Sequence, residues 1–182
     1  MYKVYDDWPK MALNAYNFSH KKINYPEINH IVFAGMGGSG TIGDVFAAIL
    51  SKTNIHVTNV KGYLLPKTVD LNTLVIVTSI SGNTDETLTV LESAAKLDCK
   101  VLAISSGGKI EEFCLNNNIE YRKIKKIHSP RASLVNFLYS IINILDLILP
   151  IGKLEVEESI REMRILQKII STENLNQDNI SL

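Results

Sequence analysis

The stretch LVIVTSISGNTDETL, Leu74 to Leu88, decides the fold. Leu74–Thr78 is a short apolar run rich in β-branched residues, the composition of a strand buried on both faces. Two serines and two threonines (Ser79, Ser81, Thr84, Thr87) then crowd around Gly82. Asp85 and Glu86 follow, acids of the kind that favour the positive end of a helix, and the spacing predicts a helix over Asp85–Leu97. Strand, polar loop and helix thus succeed one another within about twenty residues.

The same unit recurs on either side. Ile31–Ala34 reads as a strand and ends in GMGGSG (Gly35–Gly40), before an apolar helix over Thr41–Leu50. Ile55–Val60 is a second strand, closed by a loop at Gly62 and Pro66. After the central unit, Lys100–Ile104 is a fourth strand ending in Ser105-Ser106-Gly107-Gly108, Ile110–Leu115 is helical, and Ile119–Ile124 is a fifth strand. A leading helix is expected over Pro9–Phe18, with proline in its first turn. Two closing helices are expected over Arg131–Leu149 and Leu154–Ile170, parted by Pro150 and Gly152. The tail STENLNQDNISL is polar and aperiodic, and is expected to fray or to serve as a linker. Alternation of apolar strands with helices predicts an α/β fold: a three-layer αβα sandwich around a five-stranded parallel sheet, Rossmann-like in plan. Residues 1–150 are expected to form this domain with its N-terminal helix, and 151–182 a C-terminal helix and polar tail. The chain shows no internal repeat and no low-complexity tract.

Composition narrows the function classes. The 182 residues suffice for one domain with a substantial core; 46% are hydrophobic and 21% charged, with formal net charge +0. No global field draws such a chain to nucleic acid or to an anionic membrane. The densest basic patch, Arg122-Lys123 with Lys125-Lys126, reads as a solvated strand end. Cys99 and Cys114 have no metal-ligand spacing and read as small core residues, consistent with a reducing cytoplasm. The N-terminal MYKVYDDWPK has two aspartates and no apolar core of a signal peptide. The longest apolar stretch, Leu134–Leu149, is too short to span a bilayer and carries a polar stripe of Asn136, Ser140, Asn143 and Asp146. That stripe suits either a core helix with one wet face or an interface.

In sheets of this kind ligands bind at the strands' carboxyl ends, where three of the expected loops are rich in Gly and Ser. Gly35–Gly40 literally satisfies GxGxxG, which points to a dinucleotide. That reading also needs an acid at the end of the second strand, and Ile55–Gly62 contains none; only Lys61 offers itself to an NADP phosphate. The loop at Ser79 has a different logic. Ser79, Ser81 and Thr84 supply hydroxyls, Gly82 lets amides turn toward a common centre, and the following helix adds its positive end: a nest for a phosphate without a lysine. The competing reading, that Ser81 and Thr84 merely cap the helix, accounts for one hydroxyl but not for four.

Ser-x-Ser-Gly-x-Thr after a hydrophobic strand resembles the phosphosugar-binding loop of SIS (sugar isomerase) domains. Three segments in order, GMGGSGTIGD (Gly35–Asp44), SISGNTDETL (Ser79–Leu88) and SPRASL (Ser129–Leu134), resemble the N-terminal SIS domain of bifunctional phosphoglucose/phosphomannose isomerases. The resemblance implies that Gly38 and Ser39 contact the sugar and that Ser79, Ser81 and Thr84 hold the 6-phosphate. Arg131 would then stabilise an enediolate beside the reacting carbons. It implies interconversion of glucose 6-phosphate or mannose 6-phosphate with fructose 6-phosphate through a cis-enediol(ate), with no metal or organic cofactor. It also implies pairing, as a homodimer or with a second SIS domain or chain. Aldose–ketose isomerisation needs a base to move a proton between C1 and C2. In the resembled family a glutamate, a histidine and a lysine come from a second SIS domain, and no position of this chain matches them. His128 and Glu86 are thin substitutes, and His20, His30 and His56 lie away from the strand ends. The chain therefore reads as one half of a two-domain isomerase or of a two-chain enzyme. A complete single-SIS isomerase of hexulose- or heptose-phosphate type, and a non-enzymatic phosphosugar sensor, are the alternatives.

Overall fold

A computed structural model of the chain describes residues 2–171 together with Glu173, Asn174 and Asn179. The elements follow in the order α1 (Tyr2–Asp6), α2 (Trp8–Asn17), β1 (His30–Ala34), α3 (Gly38–Leu50), β2 (His56–Val60) and β3 (Thr73–Ser79). Then come α4 (Asp85–Ala94), β4 (Lys100–Ser105), α5 (Gly108–Asn116), β5 (Glu120–Lys123), α6 (Leu134–Ile144) and α7 (Lys153–Ile170). The chain divides into two compact units: residues 24–134, and residues 1–23 with 135–182.

The unit 24–134 holds the sheet. All four strand pairings are parallel and the strand order is β2-β1-β3-β4-β5. The apolar runs of β1 and β3 lie in the interior, where every residue is buried, whereas β2 and β5 lie at the edges and are partly exposed. Side chains alternate between two faces. Val32, Ala34, Val75, Val77 and Ala103 share one core with Val90, Leu91 and Ala94 of α4 and Ile110 and Cys114 of α5. On the other face Phe33 stacks on Phe46 of α3, ring centroids 4.7 Å apart. Gly43 permits this approach, since a Cβ there would lie 2.8 Å from the Phe33 Cβ. Helices thus cover both faces, giving the three layers and five parallel strands that the periodicity predicts. The connection through α3 leads outward to β2, and those through α4 and α5 lead the other way. The winding of the connections therefore reverses between β1 and β3, while the strands stay parallel. The loops after these two strands meet at that switch point.

In the unit of residues 1–23 and 135–182, α2 packs on α7. The polar stripe expected over Leu134–Leu149 finds partners inside this unit, although its last member, Asp146, lies past the end of α6 and stays partly exposed. Asn143 Nδ2 donates to the Tyr16 carbonyl at 2.8 Å, Lys22 Nζ lies 2.5 Å from Asp146 Oδ2, and Ser140 is buried. Several helix boundaries differ from expectation: α3 begins at Gly38 rather than Thr41, and α4 ends at Ala94 rather than Leu97. The helix expected from Arg131 begins at Leu134 and ends at Ile144, because Ser129–Ser133 forms a turn and the chain after Ile144 continues in turns. A short N-terminal helix, α1, precedes the expected one. Glu155 accepts the Gly152 N–H at 2.6 Å and so fixes the start of α7. The expected polar tail of residues 171–182 lies largely outside the described residues. Among the described residues no helix is long and apolar enough to cross a membrane.

Candidate functional site

Ser79 is the last residue of β3 and is buried, so its hydroxyl points out of the strand end into the loop it opens. Its Oγ lies 2.9 Å from Thr84 Oγ1 and 3.5 Å from Ser81 Oγ, which brings together the three hydroxyls singled out in the sequence. Gly82 turns the chain between them with φ +74°. Its N–H donates to Ser79 Oγ at 3.0 Å and to the Ser79 carbonyl at 3.1 Å. The Asn83 N–H closes on Ser81 Oγ at 3.3 Å. The loop's own amides thus hold the serines in place; one hydroxyl hydrogen is spent between Ser79 and Thr84, leaving the remaining hydroxyl hydrogens and the first-turn amides of α4 as donors an anion can meet.

Thr84 occupies the N-cap position of α4, yet its side chain makes no capping hydrogen bond. Its hydroxyl is turned to Ser79 instead. Asp85 and Glu86 remain as acids in the first turn. The capping reading of these hydroxyls therefore fails at the residue where it should hold best.

The first loop meets the second directly: Ser39, buried in the first turn of α3, accepts the Ile80 N–H through its Oγ at 3.3 Å. The glycines here serve close packing. A Cβ on Gly40 would lie 2.7 Å from the Gly35 carbonyl oxygen, and one on Gly35 would lie 2.9 Å from the Ser39 carbonyl carbon. Gly37 has φ +54° and precedes the helix. Lys61, the residue a dinucleotide phosphate would need, has its Nζ 2.6 Å from Asp44 Oδ2.

The third segment comes near the first. A Cβ on Gly38 would lie 3.9 Å from the Pro130 carbonyl oxygen, so the turn carrying Arg131 runs beside the start of α3. Ser133 ties that turn: its Oγ accepts the Ile127 N–H at 2.8 Å and lies 2.8 Å from the Ile127 carbonyl and 2.9 Å from that of Ser129. Arg131 is exposed in this turn rather than opening a helix. His128, with φ +56°, is exposed as well.

The loop after β4 is what sequence reasoning left without a role. Ser106 Oγ donates to the Ile80 carbonyl at 2.6 Å, Ile110 N–H to that of Gly82 at 3.0 Å, and Lys109 N–H to Asn83 Oδ1 at 3.0 Å. A Cβ on Gly82 would fall 1.6 Å from the Gly107 carbonyl oxygen, so the two loops touch backbone to backbone. The doublet Gly107-Gly108, both at positive φ, was the available signal.

The amino ends of the strands are different. His30, buried at the start of β1, lies 2.9 Å from Thr58 Oγ1 through Nε2 and 3.3 Å from Thr73 Oγ1 through Nδ1. Burial, and then the neighbouring His56, hold its imidazole below the usual value, against the opposing pull of the Thr68 carbonyl and Asp70. Burial likewise pushes the Cys114 thiol up to about 11. Among the described residues, no three His, Cys, Asp or Glu side chains lie close enough together to hold a metal ion.

Comparison with known proteins bears on the family and the fold. The SIS domain profile matches residues 25–145. The bifunctional phosphoglucose/phosphomannose isomerase of Caldicellulosiruptor bescii is 30% identical over an alignment covering 100% of this chain and 55% of that protein. Its counterpart in Thermoplasma acidophilum is 40% identical over 63% of this chain and 35% of that protein. The chain thus spans about half the length, or less, of these relatives. Among solved structures, the tagatose-6-phosphate ketose/aldose isomerase of Escherichia coli superposes with TM-score 0.63 at 17% identity, over 94% of this chain and 53% of that one. The C-terminal domain of glucosamine-fructose-6-phosphate aminotransferase from Francisella tularensis gives 0.64 at 16%, over 92% and 54%.

Proposed function

The chain belongs to the SIS-domain family, and from that premise we propose that it binds a sugar phosphate at the switch point between β1 and β3. Ser79, Ser81 and Thr84 hold the phosphate, Gly38 and Ser39 meet the sugar, and Arg131 lies toward the reacting carbons. The observation that carries this reading is the Thr84 hydroxyl, turned from its helix to within 2.9 Å of Ser79 Oγ. A hydrogen bond to a charged oxygen contributes about 1.5–3 kcal/mol, so a few such donors suffice to hold a dianion without a cationic side chain.

The activity served is aldose–ketose isomerisation of glucose 6-phosphate or mannose 6-phosphate with fructose 6-phosphate. The ring opens, a base takes the proton from C2 of the open aldose, and the proton is returned to C1 as the carbonyl moves to C2. The charge that develops on the oxygens of the enediolate falls where the Arg131 guanidinium can stabilise it. The base and the ring-opening group come from a second SIS domain or a partner chain, in a homodimeric or two-domain assembly in the cytoplasm. NMR of fructose 6-phosphate in deuterated water with the purified chain tests this. Broadening of the phosphorus resonance without aldose formation is the expected result. Aldose carrying deuterium at C2 would show the chain to be a complete isomerase, and an unperturbed phosphorus resonance would overturn the reading.

A further inference from the structure

We propose that Asn83 is a positioning residue that clips the Ser79–Thr84 loop to the first turn of α5 and thereby sets the spacing of the loop hydroxyls. The proposal deepens the phosphosugar reading and rests on it.

A helix leaves its first amides without internal partners, and a side chain at the N-cap ordinarily takes one of them. For α5 the N-cap is Gly107, which has no side chain to offer. The partners come instead from another loop: Asn83 Oδ1 takes the Lys109 N–H at 3.0 Å, and the Gly82 carbonyl takes that of Ile110 at 3.0 Å. At its other end the Asn83 carboxamide reaches back, Nδ2 to the Ser81 carbonyl at 3.4 Å. Both ends of the side chain are thus used within the protein, one on the phosphate loop and one on α5. Gly108 is shaped to the clip from the far side. Its φ is +75°, and a Cβ there would lie 2.5 Å from Asn83 Oδ1 and 2.9 Å from the Gly82 carbonyl oxygen.

The consequence is preorganisation. Gly82 turns the loop at φ +74°, and the three hydroxyls lie on either side of it. Held against α5, the loop keeps Ser79 Oγ within 2.9 Å of Thr84 Oγ1 and 3.5 Å of Ser81 Oγ before any anion arrives. Released, it orders only on binding, and that ordering is subtracted from the affinity. Because α5 is capped by this loop, its positive end is also directed onto the loop, in the sense that favours an anion there.

The test compares the affinity of the whole chain for fructose 6-phosphate and for inorganic phosphate in Asn83→Ala, Gly108→Ala and the double variant, with the melting temperature recorded beside each. Asn83→Ala and Gly108→Ala are each expected to weaken binding about tenfold, by the same factor for both anions because the loop meets only the phosphate. The double variant is expected to lose little more than either single one, since both break one clip. Equal affinity of Asn83→Ala and the unaltered chain would overturn the proposal, as would losses that simply multiply in the double variant. Should Gly108→Ala fail to fold, Asn83→Ala decides alone. The Ser81→Ala, Thr84→Ala double variant separates the two levels of inference. If it binds as well as the unaltered chain, the phosphosugar reading falls and the proposal with it. If it loses binding while Asn83→Ala keeps it, only the proposal falls.

Discussion

The two ends of the same strands use polar side chains in opposite ways. At the amino end of β1, His30 has a hydroxyl within hydrogen-bond reach of each ring nitrogen, and Thr73 adds a hydrogen bond to Asp70 Oδ1 at 2.8 Å. At the carboxyl end of β3, the hydroxyls of Ser81 and Thr84 gather around Ser79 Oγ, and Thr84 makes no side-chain cap to the helix it precedes. The first set ties strands to one another; the second stands beside the first-turn amides of α4, which have no partner within the helix. That difference in surroundings separates the two clusters more clearly than residue type does, for hydroxyls stand in both.

Four measurements test that contrast. The largest effect is expected from Gly82→Ala, whose Cβ would fall 1.6 Å from the Gly107 carbonyl oxygen at φ +74°. Urea denaturation should show a loss of about 2–4 kcal/mol as the two loops are forced apart. Next, Ser81→Ala with Thr84→Ala should weaken phosphosugar binding by about a hundredfold or more while stability stays within about 1–2 kcal/mol. A large loss of stability without loss of binding would make the carboxyl-end cluster structural, like the amino-end one. Third is the pH response of His30. Because its imidazole is held below the free value of 6.5, the unfolded chain takes up a proton that the folded chain resists. Its contribution is full above that value and is lost as the pH falls below it. Melting temperature followed from pH 7.5 to 5 should decline in the unaltered chain, and more gently in His30→Gln; parallel curves would remove the imidazole from the account. The smallest effect is expected from Lys61→Met. Its partner Asp44 is half-exposed, so stability should change by less than about 1 kcal/mol and phosphosugar affinity should hold. A marked loss of affinity would return Lys61 to the site.

The strands and their order of appearance were legible because burial on both faces leaves an uninterrupted apolar run, as in Leu74–Val77, that local periodicity registers. The start of α6 was not. Ser129–Ser133 has the composition of a helix start, but Ser133 is drawn into hydrogen bonds with Ile127 and Ser129, which hold the segment as a turn and leave Arg131 exposed in it. The polar stripe of α6 was visible as a stripe; that Asn143 and Asp146 face Tyr16 and Lys22 depends on residues more than a hundred positions away.

For the candidate site the division is similar. Gly35–Gly40, Ser79–Thr84 and Ser129–Leu134 could be picked out from residue types alone, because hydroxyls and glycines after an apolar strand have a chemistry that does not depend on the rest of the chain. Residue types and their periodicity therefore marked out the sheet's strands, the hydroxyl-rich loop after β3 and the family to which they point. Only the tertiary structure decided that Thr84 turns away from its own helix, that Ser39 meets Ile80, and that α5 takes its cap from Asn83 and Gly82. Each of these is a contact between segments separated in the chain, set by the parallel register of β1, β3 and β4, and a hydrogen bond of that kind leaves no periodicity for a sequence to display.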